Sequence, residues 1–449
     1  MKEWLKMQFN ITLPEDVKFI LDRLHSQGYD AYVVGGCVRD SILGRAPKDW
    51  DICTNALPNQ VVAVFSDTEV IPTGLQHGTV TIVLNHTPYE CTTYRIDGEY
   101  SDSRHPDDIS FTTNLEQDLS RRDFTVNAMA YNYEQGLVDP FEGMVDIKLK
   151  KIRCVGSAEN RFNEDALRIL RAVRFAAQLN FSIEDETAQQ IHMQRHKLLN
   201  ISVERINSEF CKIVAAESFH MILLQYKDIF SLIIPELRSL IGFNQNNPYH
   251  DYDVFEHTVH ALENCARADV ITKLAVFFHD FGKPHCCQLG EDGFNHFKGH
   301  GRVSAEMADL IMLRLKFDND TRHKVCELVH YHDASFEVGS KYVKRWLNKL
   351  GVKQYERLLV IRLADIKGQK INYEQSRINK LDKLSEILED ILANAACFTL
   401  KDLAINGNDL IALGYKPGKE IGDTLNNILQ KVIDGELLNE KELLVNAIK

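Results

Sequence analysis

The sequence predicts an α+β fold in which a small α/β head precedes a long all-α neck, body and tail. Before residue 150, short runs rich in β-branched residues alternate with helical segments. From residue 155 onward, the apolar residues keep helical spacing to the end of the chain. The 449 residues also exceed what one hydrophobic core holds, so roughly two to four domains are expected.

The composition is that of a soluble globular protein, with 44% hydrophobic and 26% charged residues. There is no run of eighteen apolar residues and no basic leader followed by an apolar segment, so neither a membrane span nor a secretory signal is expected. Ten scattered cysteines without a CxxC pair are typical of reduced thiols. We therefore expect a cytoplasmic protein without a membrane partner, and the sequence leaves the oligomeric state open.

The net charge of −12 argues mildly against nucleic-acid binding, but such binding requires a basic surface rather than a basic average. Between Lys148 and Lys212, 12 Lys and Arg residues outnumber 8 Asp and Glu residues. This local excess of positive charge predicts that the segment contacts a polynucleotide.

Residues 32–51, YVVGGCVRDSILGRAPKDWD, combine an apolar strand, paired glycines and two acids. Gly35 and Gly36 lack Cβ atoms, so the backbone can approach a bulky anion and offer N–H groups at a helix start. Asp49 and Asp51 would point to one face of a strand. Two carboxylates beside a phosphate cradle suit Mg²⁺, which implies metal-assisted attack of a hydroxyl on a nucleotide phosphate. Taken singly, a tight bend and a solvated turn are the ordinary alternatives.

Residues 79–84 and 89–94 are β-rich and predict a hairpin around a turn at Thr87-Pro88. Glu90 lies on the second strand and is a candidate third carboxylate beside the two aspartates. The alternative is a charged residue on an exposed strand face.

A second motif, RRDFTVNAM, occupies residues 121–129. Arg121 and Arg122 supply planar guanidinium groups that suit phosphate oxygens. Asp123 and Asn127 are four residues apart and would share one face of a starting helix, where they can hold ribose hydroxyls. A capped helix with surface arginines is the alternative.

A third motif, EDALRILRAVRF, occupies residues 164–175, and in a helix Asp165 and Arg168 are i,i+3 neighbours. Cytosine and adenine both present an amino donor beside a ring-nitrogen acceptor, which a carboxylate and a guanidinium complement. Uracil and guanine reverse these positions and would leave buried groups unpaired, at roughly 1–3 kcal/mol per group. The pair can therefore select C and A without a nucleic-acid template, although an ordinary surface ion pair has the same spacing.

The three motifs in this order resemble the nucleotidyltransferase superfamily, and Val38-Arg39-Asp40 resembles its branch of class II tRNA nucleotidyltransferases and bacterial poly(A) polymerases. The resemblance implies addition of C and A to the tRNA 3′ end from CTP and ATP by two-metal nucleotidyl transfer. It implies catalysis by Asp49 and Asp51 with Mg²⁺, and Glu90 remains the candidate third catalytic carboxylate. The nucleotide-binding residues it implies are Gly35, Gly36, Arg39, Arg121, Arg122, Asp123, Asn127, Glu164, Asp165, Arg168, Arg171 and Arg174.

Two further segments extend this resemblance. Residues 95–107 resemble the flexible loop of enzymes that can add adenosine, which favours a full CCA-adding or an A-adding enzyme. Residues 139–143 lie where the family has its hinge between head and neck, but Glu142 replaces the second small residue that is usual there.

Downstream, histidines and acids follow the order H…HD…D, which resembles an HD phosphohydrolase domain. Such a set would bind a transition metal or Mg²⁺ and activate water against a phosphoester. The ligands implied are His257, His279, Asp280 and Asp365, with His300 and His332 as candidates for a second metal position. A scaffold with an idle site is the alternative. Among tRNA nucleotidyltransferases, an attached HD domain is linked to trimming of 2′,3′-cyclic phosphate or 2′-phosphate ends.

The predicted organisation has four parts: the nucleotidyltransferase head at 1–150, a helical neck with base-reading and RNA-binding elements at 151–243, an HD-type helical domain at 244–375, and a helical tail at 376–449. The glycine-rich residues 414–422 of the tail can contact the tRNA body or form a plain helix–helix turn. Two other functions remain open: a poly(A) polymerase with the same head, or an HD phosphohydrolase whose head binds nucleotide for regulation.

Overall fold

The computed structural model describes residues 10–98, 108–248, 251–369 and 374–448. They form a head built on a β-sheet followed by a long series of helices, which confirms the α+β class. The chain divides into two compact units, Met1–Ala216 with Tyr226–Ile233 and Glu217–Gln225 with Ile234–Lys449.

Eleven of the described strands lie in the first unit. They are β1 Ala31–Val34, β2 Ile52–Thr54, β3 Glu69–Gly74, β4 Thr79–Leu84, β5 Thr87–Thr93, β6 Arg95–Asp97, β7 Ile109–Phe111, β8 Ala130–Asn132, β9 Gly136–Val138, β10 Lys151–Ile152 and β11 Ser182–Ile183. Seven of them make one sheet in the order β3-β4-β5-β2-β1-β8-β9. Only β2 and β5 are parallel within this sheet. All four residues of β1 are buried, so the glycine motif starts from the centre of the head.

The hairpin predicted at 79–94 is present as β4 and β5, but its turn differs from the prediction. Asn85 and His86 form the turn, with φ of 48° and 63°. Thr87 and Pro88 belong to β5, where they pair with Leu84 and Val83. A two-residue loop with both φ values positive matches the twist of the flanking strands. The turn therefore forms at Asn85-His86 rather than at Thr87-Pro88.

Eleven α-helices lie between residues 15 and 233 of the described chain. They are α1 Glu15–Ser26, α2 Gly36–Ile42, α3 Pro58–Val64, α4 Leu115–Ser120, α5 Gly143–Leu149, α6 Ala158–Glu164, α7 Leu167–Leu179, α8 Asp185–Gln194, α9 Val203–Ala215, α10 Phe219–Gln225, which belongs to the second unit, and α11 Lys227–Ile233. Helix α7 is buried along most of its length and packs on α9. It therefore holds the third motif firmly within the unit.

In its described residues the second unit, which includes α10, is helical apart from one short β-ribbon. Its elements are α12 Val254–Asn264, α13 Val270–Phe278, α14 Lys283–Cys286, β12 Gln288–Leu289, β13 Asn295–His296, α15 His300–Arg314, α16 Asn319–Tyr331, α17 Ser340–Leu350, α18 Val352–Lys367, α19 Glu374–Ala393, α20 Gly407–Ala412, α21 Lys419–Ile433 and α22 Lys441–Asn446. Helix α13 packs on α12, α16 and α18. A separate hydrophobic core, which includes Leu410, Leu429 and Leu444, holds the last three helices together.

None of the helices in the described ranges is long and apolar enough to cross a membrane. All ten cysteines are free thiols.

Candidate nucleotide site and candidate metal centre

The glycine motif makes a tight turn between β1 and α2. Gly35 has φ 79° and ψ −125°, a conformation that side chains with a Cβ rarely adopt. A Cβ on Gly35 would lie 3.2 Å from Arg122 Nη1, and one on Gly36 would lie 3.7 Å from Arg39 Nη2. The absence of both Cβ atoms therefore lets the backbone come close to two guanidinium groups.

Asp49 and Asp51 lie in the loop before β2, so the predicted placement of both on a strand is wrong. Pairing begins only at Ile52, although the Asp51 carbonyl accepts a hydrogen bond from Val34 N at 2.9 Å. The parallel register pairs Ile52 with Cys91, and this places Asp51 beside Glu90 on the neighbouring strand. The structure thus brings the third candidate carboxylate next to one of the two aspartates.

The electrostatics of Asp51 show that these acids share one region. Asp51 still reaches solvent, yet loss of water around its carboxyl raises its pKa. Arg122 opposes this shift, whereas repulsion from Glu90 and Asp49 adds to it. A divalent cation would relieve this repulsion, so the acids fit a hard metal ion that prefers oxygen ligands.

The head acids form an open set of ligands. In the part of the chain that the structure describes, sets of three ligand atoms within 4.8 Å of one another occur only in the second unit. The three head carboxylates are therefore spread more widely than a closed metal cage. Mg²⁺ commonly takes one or two carboxylates and fills its other positions with waters and substrate phosphates, which is the arrangement that this spacing allows.

The arginines of the second motif are held by an acid that the sequence analysis missed. Arg121 donates to Asp118 Oδ1 at 2.8 and 3.0 Å, and Arg122 Nη2 lies 3.4 Å from Asp118 Oδ2. Burial alone would raise the pKa of Asp118, but the two guanidinium groups lower it. The i,i+3 and i,i+4 spacings from Asp118 were the available signal. Asp118 therefore orients both arginine side chains, which are not freely moving surface charges.

No helix starts at Asp123, so the predicted shared helix face is wrong. Phe124 is extended and residues 125–127 form a short 3₁₀ turn. Asp123 and Asn127 nevertheless meet, because Asn127 Nδ2 donates to Asp123 Oδ1 at 3.2 Å. Arg39 donates to Asn127 Oδ1 at 2.5 Å and Arg171 Nε donates to Asp123 Oδ2 at 2.8 Å. A buried network therefore joins the first, second and third motifs.

Three arginine side chains lie over the ring of Phe175, a residue for which the sequence analysis predicted no role. The guanidinium carbons of Arg39, Arg171 and Arg174 lie 5.1, 5.6 and 4.1 Å from the centre of its ring. Arg174 also pairs with Glu209 at 3.0 Å, and burial lowers the pKa of Arg174 to about 10 in spite of that acid. The ring faces attract cations, so Phe175 helps to keep like charges together.

The third motif is broken between two helices, and the continuous helix expected there is wrong. Asp165 follows the end of α6 in an extended conformation, with φ −140° and ψ 105°, and α7 begins at Leu167. The Asp165 side chain accepts from Leu167 N at 3.0 Å, and its carbonyl accepts from Arg168 N at 3.0 Å. Asp165 and Arg168 are still one turn apart, while Glu164 forms an ion pair with Arg168.

The predicted loop at 95–107 lies only partly in the described chain, since residues 99–107 fall outside it. Within the described part, Arg95 donates to Asp97 at 2.9 Å, and Arg121 lies 3.7 Å from Asp97. At the predicted hinge, a Cβ on Gly143 would lie 2.3 Å from Thr125 O. The chain therefore passes Gly143 in close contact with the second motif.

The histidines and acids of the H…HD…D pattern converge in the second unit. They form two ligand sets, His257 with His279 and Asp365, and Asp280 with His300 and His332. Asp280 belongs to the second set but also contacts the first. Its Oδ2 is 3.1 Å from His279 Nε2, and its Oδ1 is 3.4 Å from His300 Nε2.

Each of the four imidazoles is fixed by a backbone carbonyl. The Nδ1–H groups donate to the carbonyls of Gly368, Val276, Phe297 and Val329 at 3.0, 2.6, 2.8 and 2.7 Å. A carbonyl can only accept, so each neutral ring carries its proton on Nδ1 and presents the Nε2 lone pair. The Nε2 atoms meet in pairs at 3.2 and 3.1 Å. Lone pairs facing each other at this distance fit a bound cation.

The charges around Asp280 also fit a metal ligand. Burial alone would raise the pKa of Asp280, but His279 and Lys283 hold it well below its usual range. Burial and the neighbouring imidazoles lower the pKa of His332, which keeps this ring neutral. Burial alone would lower the pKa of His279 and His300, but Asp280 raises it. Metal binding would therefore release protons from these two rings.

Three family models match this chain. They describe a poly(A) polymerase head domain at residues 31–153, a probable RNA- and SrmB-binding site of polymerase A at 180–241, and a putative second domain of tRNA nucleotidyltransferases at 300–448. Curated relatives include a CCA-adding enzyme of Lactobacillus delbrueckii, 33% identical over 94% of both chains. Another is a CCA-adding enzyme of Streptococcus pyogenes, 32% identical over 94% of this chain and 93% of the relative.

Solved structures resemble the whole chain. The CCA-adding enzyme of Bacillus stearothermophilus in complex with CTP matches with a TM-score of 0.63 and 27% identity over 97% of both chains. The Thermotoga maritima CCA-adding enzyme complexed with tRNA shares the fold, with a TM-score of 0.60 and 20% identity over 99% of this chain and 97% of that one.

Proposed function

The chain belongs to the CCA-adding enzyme family, and from this membership we propose that it completes tRNA 3′ ends by adding C and A nucleotides from CTP and ATP. The observation that carries the proposal is the network joining Arg39, Asn127, Asp123 and Arg171, because it ties the three motifs into one site. Members of the family use a divalent metal, and the head acids suit Mg²⁺.

The head acids carry the transfer step in this proposal. Asp49 and Asp51, with Glu90, would hold Mg²⁺, which when bound would neutralise phosphate charge and activate the attacking 3′-hydroxyl. Gly35 N already donates to the Met129 carbonyl at 3.1 Å, so the backbone N–H groups offered to the triphosphate would come from the start of α2. The guanidinium groups of the second motif, held by Asp118, offset the charge of the departing pyrophosphate.

In this proposal, Asp165 and Arg168 select the base of the incoming nucleotide. The carboxylate accepts from the amino group of cytosine or adenine, and the guanidinium donates to the adjacent ring nitrogen. Arg168 is only 9% exposed and can only donate, so a base whose ring nitrogen carries a proton would place a donor against a donor where little water can intervene. UTP and GTP are rejected for that reason.

Extension of defined tRNAs tests this function. The protein is incubated with tRNA that lacks CCA, or only the terminal A, and with CTP and ATP singly and together. Addition that stops at CCA supports the proposal, whereas long A tracts would indicate a poly(A) polymerase. Absence of any extension would favour a hydrolase whose head only binds nucleotide.

We propose a second activity in the other unit: an HD-type phosphohydrolase centre that binds one or two metal ions, either Mg²⁺ or a transition metal. The carrying observation is the set of four imidazoles, all oriented by carbonyls, around Asp280. Imidazole and carboxylate ligands of this kind activate a bound water against a phosphoester. Metal analysis and a phosphatase assay on the double variant Asp49→Ala, Asp51→Ala test it, since activity that persists there belongs to this centre.

The four-part division of the chain and the cytoplasmic location also stay proposals. The ten free thiols suit a reducing compartment.

A further inference from the structure

We propose that Arg205 is a positioning residue that sets base selectivity by holding the carboxylate of Asp165 in its base-accepting orientation. This inference rests on the proposed base-reading role of Asp165 and Arg168.

Arg205 reaches Asp165 from a different helix. It lies on α9, and its Nη2 is 2.9 Å from Asp165 Oδ2, with 23% of the Arg205 side chain and 17% of the Asp165 side chain exposed. The other oxygen, Oδ1, accepts from Leu167 N at 3.0 Å. Both oxygens are therefore tied, and the plane of the carboxylate is fixed from two sides.

These two contacts orient Asp165 without using up its acceptor capacity. Each carboxylate oxygen carries two lone-pair sites, and each of these contacts occupies one. Asp165 can still accept from a base amino group.

Arg168 is held by partners of its own. Its Nη1 forms an ion pair with Glu164 and lies 3.1 Å from the Arg161 carbonyl, and its Nη2 donates to the Arg121 carbonyl at 3.1 Å. The acceptor and the donor of the base reader are thus anchored separately, Asp165 by Arg205 and Arg168 by Glu164.

Separate anchoring matters because Asp165 and Arg168 carry opposite charges one turn apart. Groups with this spacing readily form an ion pair with each other. Such a pair would turn the carboxylate toward the guanidinium and cover the edges that must face a base. Arg205 prevents this by drawing Asp165 toward α9.

A steady-state comparison of Arg205→Gln with the wild type tests the inference. Glutamine keeps a donor but removes the charge, so the CTP over UTP ratio of kcat/KM should fall by about tenfold or more, as expected when an oriented polar contact is lost. The loss should come mainly from CTP turnover, because a misplaced acceptor weakens the reacting complex. Arg205→Lys should recover part of the ratio, since its charge is kept and its planar shape is not.

The matched control is Arg23→Gln. Arg23 belongs to the same unit but lies outside the stretch 148–212 that is expected to contact a polynucleotide. It pairs with Asp67, whose side chain is 66% exposed, so its loss should leave the selectivity ratio unchanged. Thermal denaturation of both variants, run in parallel, measures any general loss of stability.

A double-variant cycle separates positioning from stability. If Arg205 acts through Asp165, then Arg205→Gln should not change selectivity further in an Asp165→Ala background. Selectivity of Arg205→Gln equal to wild type, while Asp165→Ala is unselective, would overturn the inference and leave the proposed function standing. Unchanged selectivity in Asp165→Ala would instead remove the proposed base reader itself.

Discussion

At the scale of single residues, Asp123 joins separate parts of the candidate nucleotide site. Asn127 and Arg171 both donate to its carboxylate, which is 7% exposed. Burial would raise the pKa of Asp123, but Arg171 and Asn127 lower it from 3.8 to about 2. The ionised form is therefore favoured by folding.

This lowered pKa predicts a specific pH dependence of stability. A depressed pKa in the folded state adds stability above the unfolded value of 3.8, and the contribution is lost as the pH falls toward about 2. Asp123→Asn should thus cost about 2 kcal/mol at pH 7 and progressively less in acid. Urea denaturation at stepped pH measures the difference.

The control for this prediction is Asp228→Asn. Asp228 forms partly exposed pairs with His192 and Arg195, so the substitution should change stability little. A cost of Asp123→Asn that stayed constant from neutral to acid pH would contradict the assigned role of its charge.

The sequence motifs predicted that residues of the candidate nucleotide site lie close together. They did not reveal the side chains that hold these residues in place. Gly35, Asp51 and Arg168 could be proposed as site residues because each stands in a short local motif whose spacing already restricts the chemistry. Phe175 was missed because an aromatic residue at helical spacing is usually a core residue. Arg205 was missed because its contact with Asp165 spans 40 positions, and sequence spacing carries no signal at that range.

At the scale of elements, α5 supports the second motif through a close approach of backbones. Gly143 begins α5, and a Cβ there would lie 2.3 Å from Thr125 O and 3.0 Å from Met129 Cγ. Helix α5 packs on the 3₁₀ turn that carries Asn127. The position of that turn therefore depends on the absence of a side chain at Gly143.

Gly143→Ala should lower stability by about 1–3 kcal/mol, because the backbone must shift to admit the methyl group. It should also lower affinity for nucleotide, since Asn127 moves with the turn. Denaturation and equilibrium nucleotide binding measure the two effects.

Gly422→Ala is the matched control. Gly422 lies within α21, and a Cβ there meets nothing within 4 Å. Alanine should therefore be neutral or slightly stabilising at this site. If both substitutions had the same effect, the contact at Gly143 would not support the turn.

Element boundaries were the least predictable part of the fold. The β-rich runs at 79–94 gave the right hairpin, but Asn85 and His86 took the turn because their backbone geometry matches the strand twist. In the third motif, Asp165 ends one helix and caps the next, an arrangement that helical periodicity alone does not reveal. The two aspartates before β2 were misplaced because strand pairing starts one residue later than Asp51.

At the scale of the whole molecule, the head carboxylates and the histidine-rich metal ligands belong to different compact units. The head acids lie in the first unit, and the imidazole-rich set around Asp280 lies in the second. We expect Asp280→Asn to lose bound metal and phosphatase activity and to retain nucleotide addition. The double variant Asp49→Ala, Asp51→Ala should show the reverse pattern.

Three measurements on the same preparations test whether the two sites are separate: metal content by atomic emission, phosphatase turnover and tRNA extension. Loss of nucleotide addition in a folded Asp280→Asn protein would contradict separate sites. Loss of phosphatase activity in the head variant would assign that activity to the head.

The division into a sheet-based head and a helical remainder could be predicted because hydrophobic periodicity changes near residue 150. The tail core around Leu410 and Leu444 could not, because helical spacing within each of the last three helices does not reveal which faces pack together. Patterns within one segment reveal its type of structure, whereas pairing between distant segments depends on packing.

The central claim is that the three motifs form one site that adds C and A without a nucleic-acid template. Its most direct test is to supply tRNA lacking CCA with all four nucleoside triphosphates together and to sequence the extended ends. We predict products that end in CCA and extend no further. Ends that contain U or G, tracts of A beyond the third position, or an unextended tRNA would contradict the claim.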